Sequence, residues 1–496
     1  MAKTQADVQV LDTYEITLGN LVTKIDIYRE AGSFVATYRM SISNISPTTK
    51  IILEKIRKEF ISSVTAGIGE VEAEQGVDLI KTKFEQEIKL LIKKYFASLD
   101  AKTMNILVNY IIRQNLGLGD IEILLRDVNL EEVVVNGSQE PVWVYHRKHG
   151  WLQTNIYLDT ESKIRHYATM IGRDVGKEIT LLKPLMDAHL LTGDRVNATL
   201  HPISDRGNTI TIRKFSEHPW TITDFIEAGT IDYEGAALLW LAIENELSIL
   251  VAGGTGSGKT SMLNVLSNFF PPNHRIISIE DTRELTLPKA LHWVPLATRL
   301  PNPEGKGGVS MLDLVVNSLR MRPDRIIVGE IRREKEAQVL FEAMHTGHSV
   351  YATIHANNAH ETIDRLTNPP INVPKKVVSA LGIILVQNRN RRTGKRRTLQ
   401  IAEVTDEGDE YVFMQHDAAK DKLTQIKSLK RVKQTISLYT GMTDKQIQDD
   451  LKQKVTILRW LAKNDVRDVH KIGLVMAKYY TGQLNLSTLK PEDLET

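Results

Sequence analysis

The sequence contains no cysteine. That single absence excludes disulfides, Cys-based zinc sites, iron–sulfur clusters and thiol nucleophiles together, and it fits a reducing compartment. No stretch reads as a membrane span. The most apolar run, ALLWLAIENELSILVAG, is cut by two glutamates, whereas a spanning helix needs about 20 mostly apolar residues. The opening MAKTQADVQV lacks the apolar centre of a signal peptide. An excess of charge of either sign is missing too: 63 Lys and Arg face 61 Asp and Glu, a formal net charge of +2. This argues against a polybasic nucleic-acid coat or an acidic tail as the main identity. Neither an internal repeat nor a low-complexity tract is evident. What is present is 496 residues of ordinary globular composition, enough for about three domains. An intracellular protein is expected, with any membrane association peripheral or through a partner.

Residues 1–60 mix short alternating segments with polar turns and read as a small α/β module. From about residue 78 to 99 the pattern turns helical, with Phe84, Ile88, Leu91 and Phe96 near helical spacing and lysines on the other face. A second helix is predicted over 104–114. Residues 120–215 read as short strands between turns. EEVVVN runs into Asn136-Gly137, PVWVYH and WLQTNIYL flank a turn at 148–150, and RVNATLHPI and TITIRKF flank the loop 205–208. Helices are predicted at 161–172 and 181–191, and Pro219-Trp220 marks a linker. Beyond residue 225 the texture changes: the apolar strands LSILVAG, RIISIED, DRIIVGE and HSVYATIHA alternate with helical patterns. Continuous apolar runs of this kind suit a parallel sheet buried on both faces. From about residue 430 the chain is predicted helical, with Thr443 and Gln446 spaced as a capping box.

The strongest local signal is VAGGTGSGKTS. Gly253, Gly258, Lys259 and Thr260 satisfy G-x-x-x-x-G-K-[ST] between a predicted strand and a predicted helix, the context this motif requires. Glycines let the backbone turn its N–H groups inward around phosphates, and a helix N-terminus adds partial positive charge. Lys259 is expected to reach the β- and γ-phosphates, and the Thr260 hydroxyl to ligate magnesium. The nucleotide contacts are assigned to Gly253, Gly254, Thr255, Gly256, Ser257, Gly258, Lys259, Thr260 and Ser261.

Hydrolysis of a nucleotide also needs a carboxylate near the metal and the attacking water. DRIIVGE ends at Glu330, and IISIED ends at Glu280 and Asp281 with Glu284 close behind. Ligand and catalytic groups in open α/β sheets gather at the carboxyl ends of strands. A third strand, VYATIHANN, ends at His355, a candidate γ-phosphate contact or relay. His348 reads as structural and His345 as exposed. An arginine finger contributes about 10³–10⁵ in rate to phosphoryl transfer. The candidates are Arg195 and Arg213 in the preceding module and Arg320, Arg322 and Arg332 around Glu330.

These blocks, in this order, resemble the type II/type IV secretion ATPase superfamily. GGTGSGKT matches its Walker A box, IISIEDTREL looks like its Asp box, RMRPDRIIVGEIR its Walker B box, and TGHSVYATIHANNAHETIDRL its His box. VVVNGSQEPVWVYHRKHGWLQTNI and the terminal ILRWLAKNDVRDVHKIGLVMAKYY are similar to archaeal members, the archaellum and type IV pilus assembly ATPases. The resemblance covers about residues 95–480. It implies an α/β protein whose RecA-like P-loop NTPase domain spans 225–430, after an α+β (PAS-like) N-terminal module at 99–218 and before a helical C-terminal extension at 431–496. A variable module fills 1–98. It further implies ATP and Mg²⁺ as cofactors, with Glu330 and Thr260 at the metal, Glu280 assisting, His355 as signature histidine, and Arg195 and Arg213 approaching the phosphates. The family implies a homo-hexamer at the cytoplasmic face of the membrane, moving a polytopic platform protein and thereby driving pilin-like subunits into a filament.

The run NRNRRTGKRRT carries Arg389, Arg391, Arg392, Lys395, Arg396 and Arg397. It reads as a solvated hairpin turn, with contact to an acidic platform loop or anionic headgroups as the other reading. A nucleic-acid partner is not expected, since no aromatic-interleaved basic stripe appears. A RecA-like nucleic-acid translocase remains the alternative with the same loop chemistry, as does a nucleotide-gated scaffold without turnover.

Overall fold

The computed structural model describes residues 8–43, 45–67, 77–96, 98–190, 192–215, 219–299, 301 and 305–494. Residues 1–7, read above for a signal segment, lie outside them. The chain forms two compact units, Met1–Ser216 and Glu217–Thr496.

The first unit is built on one sheet. Its strands are β1 (Val8–Leu18), β2 (Leu21–Glu30), β3 (Thr37–Ile42), β4 (Leu130–Asn136), β5 (Pro141–His146), β6 (Gly150–Tyr157), β7 (Leu185–His189), β8 (Arg195–Thr199) and β9 (Thr209–Arg213). They lie in the order β1-β2-β3-β6-β5-β4-β9-β8-β7. Every neighbouring pair is antiparallel except β3 and β6. Burial alternates along β5, β8 and β9, as expected of a sheet with one covered face. The helices are α1 (Pro47–Gly67), α2 (Val77–Tyr95), α3 (Ala101–Leu116), α4 (Asp120–Arg126) and α5 (Glu161–Asp174). Ile106, Ile111, Ile164 and Ile171 from these helices share one buried cluster with Ile25, Val133 and Val144 of the sheet.

One predicted helix is a strand. Within 181–191 the chain forms β7, not a helix. Met186 and Ala188 are buried while Leu185 is exposed, so the operative period is two. Pro184 disfavours helix for the residue before it, and β7 then closes an antiparallel ladder with β8.

The second unit has helices and strands in alternation. In chain order they are α6 (Ile222–Glu227), α7 (Tyr233–Glu244), β10 (Ile249–Gly253), α8 (Lys259–Ser267), β11 (Arg275–Glu280), β12 (His292–Ala297), α9 (Met311–Ser318), β13 (Arg325–Val328), α10 (Glu334–His345), β14 (Ser349–Ile354), α11 (Ala359–Thr367) and α12 (Lys375–Val378). Then come β15 (Ile383–Arg389), β16 (Arg396–Val404), β17 (Glu410–Asp417), β18 (Lys422–Gln425) and helices α13 (Arg431–Thr440), α14 (Asp444–Lys463) and α15 (Val469–Tyr480). The sheet runs β12-β11-β13-β14-β10-β15-β16-β17-β18. It is parallel from β12 to β15 and antiparallel beyond. Every residue of β10, β13 and β14 is buried, as in strands covered on both faces. The register brings the strand ends level. Ala252 pairs with Ile354, Val328 with Ala352, and Ile279 with Val328. Gly253, Glu280, Glu330 and His355 therefore leave the sheet on the same edge.

Helices α14 and α15 dock onto this unit through α7. Helix α7 is buried continuously from Gly235 to Ile243, the mark of a helix with no solvent face. Trp240 stacks on Phe269 with ring centroids 5.3 Å apart and donates from Nε1 to Tyr480 Oη at 2.9 Å. Lys454 of α14 is fully buried. Its ammonium donates to Asp450 at 2.7 Å and to Tyr479 Oη at 2.8 Å, pairs with Glu244 of α7, and lies over the Trp240 ring. The Thr443–Gln446 capping box forms at the start of α14. Lys454→Ala leaves two carboxylates facing each other without their cation. It is expected to destabilise the second unit by on the order of 3 kcal/mol, read as a lower urea midpoint; a change below about 0.5 kcal/mol, the range of an ordinary surface substitution, would show the pair to be dispensable.

Candidate phosphate-binding site

The loop after β10 turns because three positions, Gly253, Gly256 and Gly258, carry no side chain. Gly256 and Gly258 have φ of 70° and 93°, in the left-handed region, where Gly pays no Cβ penalty. At Gly253 the constraint is space: a Cβ would stand 2.5 Å from the carbonyl oxygen of Gln387 and 2.4 Å from Ser257 Oγ. A Cβ on Gly254 would meet Asn357 Oδ1 at 3.5 Å. Gly258 is the N-cap of α8, so the first N–H groups of that helix open onto the loop. Thr255 and Gly256 are exposed at the tip, Ser257 is buried, and Thr260 and Ser261 are half-buried in the first turn of α8.

Three of the predicted residues are joined by contacts. Lys259 Nζ lies 3.1 Å from the Gly254 carbonyl, which accepts its hydrogen bond, and 3.4 Å from His355 Nδ1. His355 Nε2 lies 3.1 Å from Glu330 Oε1. The ammonium can only donate, so Nδ1 accepts and the imidazole proton sits on Nε2, facing the carboxylate. Burial and the neighbouring Lys259 charge lower the His355 pKa, which favours this neutral form. Burial also lowers the pKa of Lys259 itself, against the raising effect of Glu330 and Glu284. The loop thus holds a half-buried cation whose hydrogen-bond acceptors are neutral groups.

Arg332 extends the chain of contacts. It donates from Nε to Glu330 Oε2 at 2.9 Å and from Nη1 to Asp281 Oδ2 at 2.8 Å, linking the ends of β11 and β13. Of the arginines considered around Glu330, this is the one that reaches it. Arg320 lies in a 3₁₀ turn and Arg322 follows it with φ of 53°. Arg195 and Arg213 belong to the first unit, where they face each other across β8 and β9. Arg195 makes a two-point contact with Asp187, at 2.8 and 3.2 Å. His348 bonds its own turn at Thr346 and Ala343, and His345 is exposed.

Glu280 is 2 % exposed and turned into the protein. Its Oε1 accepts from the backbone N–H of Glu284 at 2.9 Å and of Leu285 at 3.1 Å, while Oε2 is buried without a hydrogen bond. Burial pushes this carboxyl up to about 7.

The basic run is a turn exposed to solvent from Arg391 to Lys395, as read, but its base reaches further. It is a hairpin between β15 and β16, but Arg396 donates from Nε to the Gly256 carbonyl at 3.1 Å. Arg389 Nη1 lies 3.2 Å from where a Cβ on Gly256 would be. Arg397 bonds Asp421 and the Ala228 carbonyl. The sequence shows the charges; only the adjacency of β10 and β15 in the sheet shows what they touch.

A glycine-rich loop at the carboxyl end of a central parallel strand, with a lysine, a carboxylate and a histidine converging on it, defines a P-loop α/β unit. The sequence model of the Type II/IV secretion system protein family matches residues 184–477, and the chain belongs to that family. An uncharacterized protein of Methanocaldococcus jannaschii is 39% identical over 405 residues, covering 77% of this chain and 53% of its own length. The chain therefore spans about half of that relative. The type IV secretion system protein PtlH of Bordetella pertussis is 31% identical over 303 residues, covering 54% of this chain and 88% of PtlH. Among solved structures, the Legionella pneumophila ATPase DotB is similar at 18% identity and a TM-score of 0.43, over 74% of this chain and 92% of that one.

The Glu280 geometry carries a testable sign. The folded chain keeps this proton between about 4.5 and about 7, where the unfolded chain has released it, so stability falls as pH rises through that window. Glu280→Gln keeps the acceptor for both N–H groups and cannot ionise. Its melting temperature is expected to exceed that of the parent at pH 8 and to differ little at pH 5. A larger gain at pH 5 than at pH 8 would contradict the raised carboxyl.

Proposed function

We propose that this protein is an ATP-hydrolysing motor that powers assembly of a type IV pilus-like filament, an archaellum or a related secretion process. The observation that carries the reading is the contact chain from the Gly254 carbonyl through Lys259 and His355 to Glu330, set at the level carboxyl ends of β10, β13 and β14. It links the group that would hold a terminal phosphate to the carboxylate that would serve the metal and water. Family membership supports the same direction.

The residues present fit a magnesium nucleotide. The glycine loop turns tightly where a Cβ at Gly253 would collide with Gln387 and Ser257, the α8 N-terminus supplies N–H donors, and the Lys259 ammonium is bonded to neutral acceptors that an anion would outcompete. Thr260 and Glu330 would hold magnesium, whose role when bound is to neutralise charge building on the phosphate oxygens. His355 keeps Glu330 oriented through its Nε2 proton, and Arg332 fixes the other carboxylate oxygen. Glu280 would assist at the same site by holding the 284–285 backbone beside it.

In this reading the chain works as a homo-hexamer at the cytoplasmic face of the membrane, acting on a polytopic platform protein. Among the described residues no helix is long and apolar enough to cross a membrane. The first unit is read as a variable segment (1–98) followed by a PAS-like module (99–218), with Arg195 and Arg213 serving a nucleotide phosphate, and 431–496 as a helical extension of the RecA-like domain.

Lys259→Ala is expected to abolish ATP turnover and weaken nucleotide binding. Glu330→Gln is expected to retain ATP while blocking hydrolysis, measured as bound γ-labelled nucleotide after gel filtration. Hydrolysis by Glu330→Gln at the parental rate would remove the role given to that carboxylate. An ATPase assay with and without the platform protein, with nucleic acid as control, tests the partner; strong stimulation by DNA alone would favour a translocase instead.

A further inference from the structure

The hairpin arginines have no task in the scheme above, yet two of them lie against the phosphate loop. Arg389 closes β15 and Arg396 opens β16, and the two are direct cross-strand partners. The base of the hairpin is fixed by Gln387 Nε2, which donates to the buried Thr398 Oγ1 at 2.8 Å. Side chains alternate along a strand, so Arg389 and Arg396 leave on the face that Gln387 and Thr398 share. Both arrive at Gly256: one through the 3.1 Å bond to its carbonyl, the other within 3.2 Å of its missing Cβ. The Cδ of Arg396 also lies 3.4 Å from where a Cβ on Gly258 would be.

Two further facts give this arrangement a direction. Like charges placed directly opposite across two strands cost stability, and here the pair is held at the one loop whose backbone is shaped for a polyanion. Lys395 and Arg397 on the same hairpin are occupied by Asp421, whereas Arg396 spends its Nε on a neutral carbonyl. That carbonyl belongs to the peptide unit that carries the Ser257 N–H. In a trans peptide the two point in opposite directions, and the Ser257 N–H is turned across the loop toward the Gly254 carbonyl at 3.3 Å. A charge-assisted bond on the oxygen fixes the peptide plane and polarises the N–H on the other side.

We propose that Arg389 and Arg396 are positioning residues for the nucleotide: the β15–β16 hairpin braces the phosphate loop from outside, holds the Gly256–Ser257 peptide in its turn, and adds two positive charges that raise affinity for a di- or triphosphate. This rests on the reading of the loop as a nucleotide site. Because the brace acts through the loop and not on the reacting atoms, it governs binding and leaves the chemical step alone.

The test uses the full chain, fluorescent MgADP for binding and MgATP for turnover. Arg396→Ala and Arg389→Ala are each expected to weaken MgADP binding and raise KM for MgATP about tenfold, a change that corresponds to ~1.4 kcal/mol, with kcat within about twofold of the parent. Arg396→Lys returns a charge and a donor and is expected to recover most of the loss; Arg396→Gln replaces the alanine variant if that one fails to fold. Arg391→Ala, at the exposed hairpin tip, is the charge control and is expected to bind as the parent does. Parental affinity in Arg396→Ala and Arg389→Ala, with Lys259→Ala impaired, overturns the brace while the nucleotide site stands. An equal loss in Arg391→Ala overturns it in favour of nonspecific charge. A parent that binds no MgADP removes the nucleotide site, and the brace with it.

Discussion

The register of the parallel strands is the constraint on which the site depends. Backbone pairing of β11, β13, β14 and β10 sets Ile279 beside Val328, Val328 beside Ala352, and Ile354 beside Ala252. Each strand is buried on both faces, and a one-residue slip would exchange which apolar side chains meet the helices above and below. Packing therefore fixes the register, and the register fixes the distances from Lys259 to Glu330 and His355, far along the chain but only two strands and one strand away in the sheet. His355 can bridge Lys259 and Glu330 only because β14 lies between β10 and β13.

The electrostatics follow from that placement. Lys259 is drawn out of water by the helix and strand it joins, which disfavours its charge, and the nearby Glu330 pulls the other way. His355 stays neutral beside the ammonium and offers its proton to the carboxylate. Arg332 ties two strand ends together through Glu330 and Asp281. Glu280 is managed differently: it is folded inward to hold the 284–285 backbone, and its burial makes the proton hard to lose.

Much of this was legible in the sequence, for physical reasons that can be named. Strands buried on both faces must be continuously apolar, so LSILVAG, IISIED, DRIIVGE and VYATIHA announce themselves, and each ends where its apolar run meets glycine, a carboxylate or histidine. The α/β class and the meeting of Lys259, Glu330 and His355 followed from those ends. Segment 181–191 failed because LLKPLMDAHLL offers leucines at both helical and alternate spacing, and only pairing with β8 selects the strand. The contacts of Arg389 and Arg396 were hidden for another reason. Which strand lies beside β10 is a property of sheet order, and nothing local to the hairpin encodes it. Arg332 was one of several equivalent candidates until the β11–β13 pairing brought Asp281 within its reach.

Helix α8 is gripped at both ends. At its start the Arg396 side chain lies against Gly258; two residues past its end, Phe269 is stacked under Trp240 and its carbonyl is bonded by Tyr480. Nine helical residues make a strut about 14 Å long. A short rod clasped at each end cannot bend to absorb a shift, so any tilt at the loop must reappear as displacement of α7 and α15. The indole of Trp240, wedged at the far clasp, is thereby a built-in optical gauge of what happens at the near one.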